Sequence, residues 1–222
     1  MVHALHAAAD QKCTARVIDL LDQGASPMSR DEFGRTALHA ACDLEMVDAY
    51  RVPDAARFNM DRILTVEAIL ARLGDDDVSA RDMEGSTALH LACVSSSIDM
   101  APVSSDVNVI AALLRRGAPI DAADRRGHTP LHIACDCGHD VDTVRLLLHH
   151  ANPNLQSLNG WTALDCAEMI RDEIQCYMEE ADEGSVHHVA DRDMYATKLD
   201  VCEAIVDALC EHGGRVGMKP AA

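Results

Sequence analysis

Four short stretches repeat one arrangement of apolar and polar positions: GRTALHAAC (34–42), GSTALHLAC (85–93), GHTPLHIAC (127–135) and GWTALDCAE (160–168). In each, a leucine is followed three residues later by an alanine: Leu38 and Ala41, Leu89 and Ala92, Leu131 and Ala134, Leu164 and Ala167. That spacing places a large and a small side chain on one face of a helix. Thr36, Thr87, Thr129 and Thr162 stand immediately before, where an N-cap belongs, and Pro130 sits in a first turn, where its missing N–H does no harm. A second apolar helix follows in each repeat and runs into a stop: RVIDLLDQGA (16–25), VEAILARLGD (66–75), VIAALLRRGA (109–118) and VRLLLHHANP (144–153). Gly24, Gly74, Gly117 and Gly213 are expected to supply the left-handed residue that ends the second helix. His150 takes that place once, with Asn152 and Pro153 following.

Gly127 and Gly160 lie 33 positions apart, Gly85 and Gly127 42, and Gly34 and Gly85 51. From each stop to the next repeat's first glycine the interval is constant at 10 or 11 residues. The extra residues therefore fall between first and second helices, near 43–61, 95–105 and 170–197. Leu5 and His6 fall on the same landmarks, so a first repeat is expected to start at the N-terminus.

The base period and the T-[AP]-L-H-x-A core resemble ankyrin repeats. The resemblance implies an all-α fold: an ankyrin-repeat α-solenoid of stacked helix–turn–helix units with β-hairpin-like fingers, each touching only its neighbours. It spans five repeats in one domain over 1–222, at about 1–33, 34–84, 85–126, 127–159 and 160–217. It also implies that His39, His90 and His132 tie adjacent repeats by hydrogen bonds. The outer repeats depart from the pattern, with His3 at the threonine position and Asp165 at the histidine position.

Composition narrows the function. Hydrophobic residues make up 48% but aromatics only 3%, so the core must be built from Ala, Leu, Val, Ile, Met and Cys. A formal charge of −18 argues against nucleic acid and against anionic membranes, which both call for Lys and Arg. The start MVHALHAAADQKC has no basic segment leading into an apolar run, so no secretory signal is expected. Nine cysteines without such a signal read as reduced thiols in the cytoplasm, a reading that also fits the nucleus. A monomer without cofactor is expected.

The stretch HTPLHIACDCGH (128–139) is the densest in potential metal ligands. On a helix, however, Cys135 and Cys137 point about 200° apart, and no second cysteine pair exists to complete a zinc set. Cys42, Cys93 and Cys135 recur at one repeat position and read as small apolar filler. The sequence has no G-x-S-x-G, no phosphate-binding glycine loop and no H-E-x-x-H, so no enzyme is expected. The rival reading from another class is a metal- or thiol-sensing protein using Cys and His groups in the insertions, with Cys176, His187 and His188 its best residues. The acidic stretch 179–193 that holds those histidines reads as a solvated loop. Thr197 with Asp200 resembles a capping box opening the final helix.

What remains is recognition, by residues that the fold does not dictate. In the family, fingers and the concave first-helix face commonly carry the contacts. The matching positions give the expected partner-binding set: Phe33, Arg35, Leu44, Met83, Arg125, Arg126, His128, Cys137, Leu158 and Trp161. Phe33 and Trp161 are one of two phenylalanines and the sole tryptophan, yet both occupy finger positions. Exposed aromatics and arginines are common interface anchors. The expected role is a non-enzymatic scaffold, adaptor or regulatory subunit that binds one or more unidentified proteins.

Overall fold

A computed structural model describes residues 2–43, 55–74, 76–94, 107–137, 141–182 and 189–217. Those residues form helices and loops, with no strand among them. The chain divides into two compact units, Met1–Arg125 and Arg126–Ala222. The first holds α1 (Val2–Asp10), α2 (Thr14–Asp22), α3 (Ala37–Cys42), α4 (Ala55–Leu70), α5 (Ala88–Cys93) and α6 (Val107–Arg115). In it, α1, α3 and α5 pack in one row and α2, α4 and α6 in another. The second unit pairs α7 (Pro130–Cys137) with α8 (Val141–Leu148), and α9 (Ala163–Asp182) with α10 (Val189–Glu211).

The Leu–Ala faces are the core. Leu38, Leu89, Leu131 and Leu164 are all buried, as are Ala41, Ala92, Ala134 and Ala167. Each leucine contributes about 2 kcal/mol by leaving water, and each alanine lets the next helix approach closely. Cys42 and Cys93 are buried on α3 and α5, and Cys135 on α7. Burial pushes the Cys42 thiol up to about 11, which keeps it neutral and apolar in behaviour.

Thr36 and Thr87 are the N-caps of α3 and α5, in extended backbone, and the histidine three residues on reaches back to each cap. The Thr36 N–H donates to His39 Nδ1 at 3.2 Å, and Thr36 Oγ1 lies 2.9 Å from the same nitrogen. Thr87 with His90 and Thr129 with His132 repeat this geometry. A nitrogen that accepts a backbone N–H carries no proton, so the ring is the neutral tautomer protonated at Nε2. That Nε2–H then donates to a carbonyl of the next finger: His39 to Ser86 at 3.1 Å, His132 to Trp161 at 3.0 Å. His6 reaches the Arg35 carbonyl at 2.9 Å, which places the first repeat in the same register.

Asp165 breaks the pattern for a chemical reason. Its Oδ2 accepts from the Thr162 N–H and from Thr162 Oγ1, both at 2.8 Å, doing the imidazole's capping work. A carboxylate cannot donate onward, and the neighbour it meets is a donor: the Gly217 N–H bonds Oδ2 at 2.7 Å. Thr162 Oγ1 also lies 2.8 Å from the Arg215 carbonyl, so residues 215–217 lie against this cap where a further finger would stand. The approach is tight enough that a Cβ on Gly217 would overlap the Gly160 carbonyl oxygen.

Gly24, Gly117 and Gly213 end their helices in the left-handed region. The N–H one residue beyond each bonds back to Leu20, Leu113 and Leu209, so these are Schellman caps. Gly74 does not do this. The end of α4 tightens to three-residue bonds, Arg72 to Ile69 and Leu73 to Leu70, and the Gly74 N–H turns to Asp77 Oδ2 at 3.0 Å. A carboxylate supplied by the following turn replaces the left-handed glycine as the stop.

The insertions divide. The first is described only from Ala55, where the long α4 begins. Residues 95–105 lie outside the described residues. In the third, helices replace much of the expected loop: α9 runs to Asp182 and α10 starts at Val189. Thr197 is therefore well inside α10 rather than at its N-terminus. A buried face carrying Cys202, Ile205, Ala208 and Leu209 anchors the half of α10 that follows the Thr197–Asp200 pair.

Two buried cations were not legible in the sequence. Lys12, at positive φ between α1 and α2, donates from Nζ to the carbonyls of Ala40 and Asp43 at 2.7 and 2.8 Å. Arg62 of α4 is fully buried and donates to the Cys42 carbonyl at 2.7 Å. Both satisfy carbonyls at the C-terminal end of α3, where the helix dipole favours positive charge. Burial, with Arg62 adding repulsion, lowers the Lys12 pKa to about 8; Asp10, Cys42 and Asp43 oppose the shift.

Replacing Asp165 by His restores the repeat's usual residue yet should destabilise the second unit by about 2 kcal/mol, because Nε2–H would face the Gly217 N–H. Asp165→Asn, which keeps the acceptor, should be nearly neutral; denaturant midpoints and amide exchange at Gly217 read the difference. Lys12 titrates at about 8 when folded and near 10.5 when unfolded. The unfolded chain thus holds more protons between those values, and stability rises with pH there. Over that window wild type should gain about 3 kcal/mol relative to Lys12→Met, measured as paired urea midpoints.

Candidate functional site

The fingers are built by short polar side chains folding back on their own backbone. Asp31 Oδ1 accepts the N–H groups of Phe33 at 2.9 Å and Arg35 at 2.8 Å, while the Asp31 N–H donates to the Arg35 carbonyl. Asp82 does the same for Glu84 and Ser86, and Ser157 Oγ accepts from Trp161 in the last finger. Gly34, Gly85, Gly127 and Gly160 complete the turns at positive φ. At Gly127 a side chain is excluded twice over, since its Cβ would lie 2.7 Å from the Leu158 nitrogen.

Within each unit the fingers join edge to edge. In the first, the Met83 N–H donates to the Phe33 carbonyl at 3.0 Å and the Arg125 N–H to the Glu84 carbonyl at 2.8 Å. In the second, the Leu158 N–H donates to the Arg126 carbonyl at 2.9 Å. Arg30 and Arg81 reinforce this ladder. Arg30 Nη1 bridges the carbonyls of Gly34 and Arg81, both at 2.6 Å, and Arg81 Nη1 bridges those of Gly85 and Ala123. These two finger arginines are framework. The sequence carried the signal in the paired RDEFG (30–34) and RDMEG (81–85), where Arg and Asp keep fixed offsets from the turn glycine.

The ladder holds large apolar side chains out in water. Phe33 is 55% exposed, Met83 54% and Leu158 78%. The Arg35 guanidinium stacks on the Phe33 ring at 5.0 Å and bonds Asp31 and Asp43, each at 3.0 Å, so it positions the ring as well as lining the tip. Partial burial opposes the Asp31 charge, but the Arg35 N–H, the Arg35 guanidinium and the Phe33 N–H outweigh it and hold the carboxyl below its ordinary pKa.

The remaining expected residues fall as follows. Arg125 is an exposed tip in the first unit; Arg126 and Leu158 are exposed tips in the second. Trp161 is half-buried, and its carbonyl takes both the His132 Nε2–H and the Ser157 N–H. His128 is half-buried and stacks on His132 at 5.8 Å, while Cys137 is half-buried at the end of α7. Leu44 lies outside the described residues, as do His139, His187 and His188.

The apparent metal nest resolves into repeat chemistry. His132 commits Nδ1 to Thr129 and Nε2 to Trp161, and Cys135 is buried while Cys137 is not. Among the described residues no three His, Cys, Asp or Glu side chains converge as metal ligands. No helix among them is long and apolar enough to cross a membrane.

A family profile described as Ankyrin repeats (3 copies) matches residues 5–103, 53–157 and 100–177. The chain belongs to the ankyrin repeat family. Its fold is the all-α ankyrin-repeat fold, and ankyrin repeats are protein-interaction modules. The chain is similar to the B-cell lymphoma 3 protein homolog of Mus musculus, 37% identical over 150 residues, or 67% of this chain and 28% of that protein. It is similar to Ankyrin repeat and SOCS box protein 16 of Mus musculus, 42% identical over 93 residues, covering 41% and 20% of the two chains. Tyrosine-protein kinase HTK16 of Hydra vulgaris is 32% identical over 104 residues, 46% of this chain and 12% of the kinase. The chain thus spans less than a third of the length of these relatives, and the likeness resides in the ankyrin repeats.

Asp31→Ala should leave two finger N–H groups without their acceptor and cost about 2 kcal/mol. Amide exchange at Phe33 and Arg35 should quicken while exchange in the second unit stays unchanged. Because the folded carboxyl titrates below its unfolded value of 3.8, its contribution is complete above that value and lost as pH falls through the lower one.

Proposed function

We propose that this chain is a non-enzymatic protein-interaction module, acting as a scaffold, adaptor or regulatory subunit, and that it holds its partner by the fingertips of each unit. The observation that carries this reading is the exposure of Phe33, Met83 and Leu158 on turns fixed by Asp31, Asp82 and Ser157. Apolar tips on a rigid backbone lose little conformational entropy when they are covered, which is what binding requires. In the first unit Arg125 is an exposed charged anchor and Arg35 backs the Phe33 ring; in the second Arg126 is exposed, and His128, Cys137 and Trp161 are half-buried on its own fingers and first helix. Leu44 belongs to the same proposed set by its repeat position.

The metal- or thiol-sensing alternative rests on Cys176, exposed on α9, and on His187 and His188, which lie outside the described residues; the cysteines and histidines of the repeats themselves do not serve it. Burial pushes the Cys166 thiol up to about 12 and Cys42 to about 11, so neither offers a thiolate near neutrality. The repeat threonines and finger carbonyls already occupy the nitrogens of His39 and His132. We place the protein in the cytoplasm or nucleus as a monomer, since reduced thiols and an acidic surface suit both compartments.

The test is affinity capture from the native cell with wild type and with Phe33→Ala, Met83→Ala, Leu158→Ala, Arg125→Ala and Trp161→Ala. Each variant should fold, because every backbone hydrogen bond of the fingers survives the change. Partner recovery should fall about tenfold or more for the Phe33 or Trp161 change, as expected of aromatic anchors. Undiminished recovery by all five variants would falsify the fingertip assignment.

A further inference from the structure

The first unit carries a second candidate surface, on its second helices rather than its fingers. A groove of about 330 Å³ opens between α4 and α6, lined by Glu67, Leu70, Ala71, Ala112, Arg115 and Arg116. Leu70 and Ala112 are buried and form an apolar floor. Along α4 the floor continues into an exposed apolar strip. Met60 is 57% exposed and Leu64 43%; they share one face with the half-exposed carboxylate of Glu67 and, just past the end of α4, with Ala71, at the i, i+4, i+7, i+11 spacing. The strip is about 16 Å long at 1.5 Å per residue, the length of three helical turns.

The charge on its rim has the opposite sign to the protein as a whole. Arg116 donates from Nη2 to the Leu73 carbonyl at 2.8 Å, a neutral acceptor, and among the described residues no carboxylate pairs with it. Its Nε is buried and has no hydrogen-bond partner. Arg115 has only a loose ion pair, 3.7 Å to Glu67, with both side chains half or more exposed. In a chain of net charge −18, two adjacent guanidinium groups that meet no carboxylate closer than 3.7 Å among the described residues stand out. Arg at the end of α6 favours the helix dipole, but the dipole accounts for neither the apolar floor nor the exposed Met60 and Leu64 beside it.

We propose that this groove docks an acidic amphipathic helix of a partner protein. Its apolar stripe covers Met60, Leu64 and the Leu70–Ala112 floor, and one of its carboxylates takes the Arg115–Arg116 pair. A helix suits a straight strip three turns long, since its i, i+3, i+4 and i+7 side chains fall on one line. A carboxylate suits the rim, because an arginine fork can bind both its oxygens. This surface stands apart from the fingertips, and either assignment can fail without the other.

The test uses the full chain and a labelled synthetic helical peptide with leucines at i, i+4 and i+7 and a glutamate on the flank that meets the arginines. Two control peptides carry glutamine at that position or the same residues scrambled. Fluorescence anisotropy should show saturable binding of the acidic peptide, weakened about tenfold by the glutamine change and abolished by scrambling. Arg115→Glu and Leu64→Asp should each lower affinity at least tenfold, while Phe33→Ala leaves it unchanged. Arg115 and Leu64 are exposed enough that both variants should keep the wild-type circular dichroism and urea midpoint. A photo-crosslinker on the peptide should label residues of α4 and α6. No binding, equal binding of the glutamine peptide, or crosslinks confined to the fingers would overturn the proposal.

Discussion

His39 accepts at Nδ1 and donates at Nε2, and both bonds exist together only while the ring is neutral. One side chain thus ends a local problem, the open N–H of its own helix cap, and a long-range one, the joining of its repeat to the next. Desolvation lowers the ring's pKa, and the bond to Ser86 only partly opposes it. The neutral form is therefore favoured when folded; the linkage is complete above about pH 6.5 and lost as pH falls through the lower folded value. Everything built on the fingers depends on this, since Arg35, Ser86 and Trp161 receive the imidazole bonds through finger carbonyls.

The same logic explains why Asp165 is where it is. A histidine presents a donor to its neighbour, and a carboxylate presents an acceptor. The second unit therefore meets a backbone N–H from residues 215–217 where other repeats meet a carbonyl. The exception keeps the cap and inverts the hydrogen bond beyond it. Stability and recognition are separated in a comparable way on the fingers. Asp31, Asp82, Arg30 and Arg81 spend their polar atoms on the backbone, which leaves Phe33 and Met83 exposed without loosening the turns.

Much of this was legible in the order of residues. The Thr–Leu–His–Ala pattern placed the first helices, the interval of 10 or 11 residues located the insertions, and the recurrence of Cys42, Cys93 and Cys135 marked them as core. Local periodicity suffices there, because each repeat uses the same few residues for the same contacts. It misread Gly74, where a carboxylate three residues on competes for the stop. It misread both ends of the acidic stretch, residues 179–182 and 189–193, where charge suggested a loop but α9 and α10 are helical; residues 183–188 lie outside the described residues.

By itself the sequence determined the repeat, its family, the apolar faces and the positions at which side chains reach the fingertips. Only the tertiary structure decided which polar residues are framework. Lys12 comes from the turn between α1 and α2, and Arg62 from α4, to the carbonyl end of α3. No spacing within one repeat encodes such a meeting. A long cation on the surface and one buried among carbonyls are the same letter until a neighbouring repeat removes the water around it.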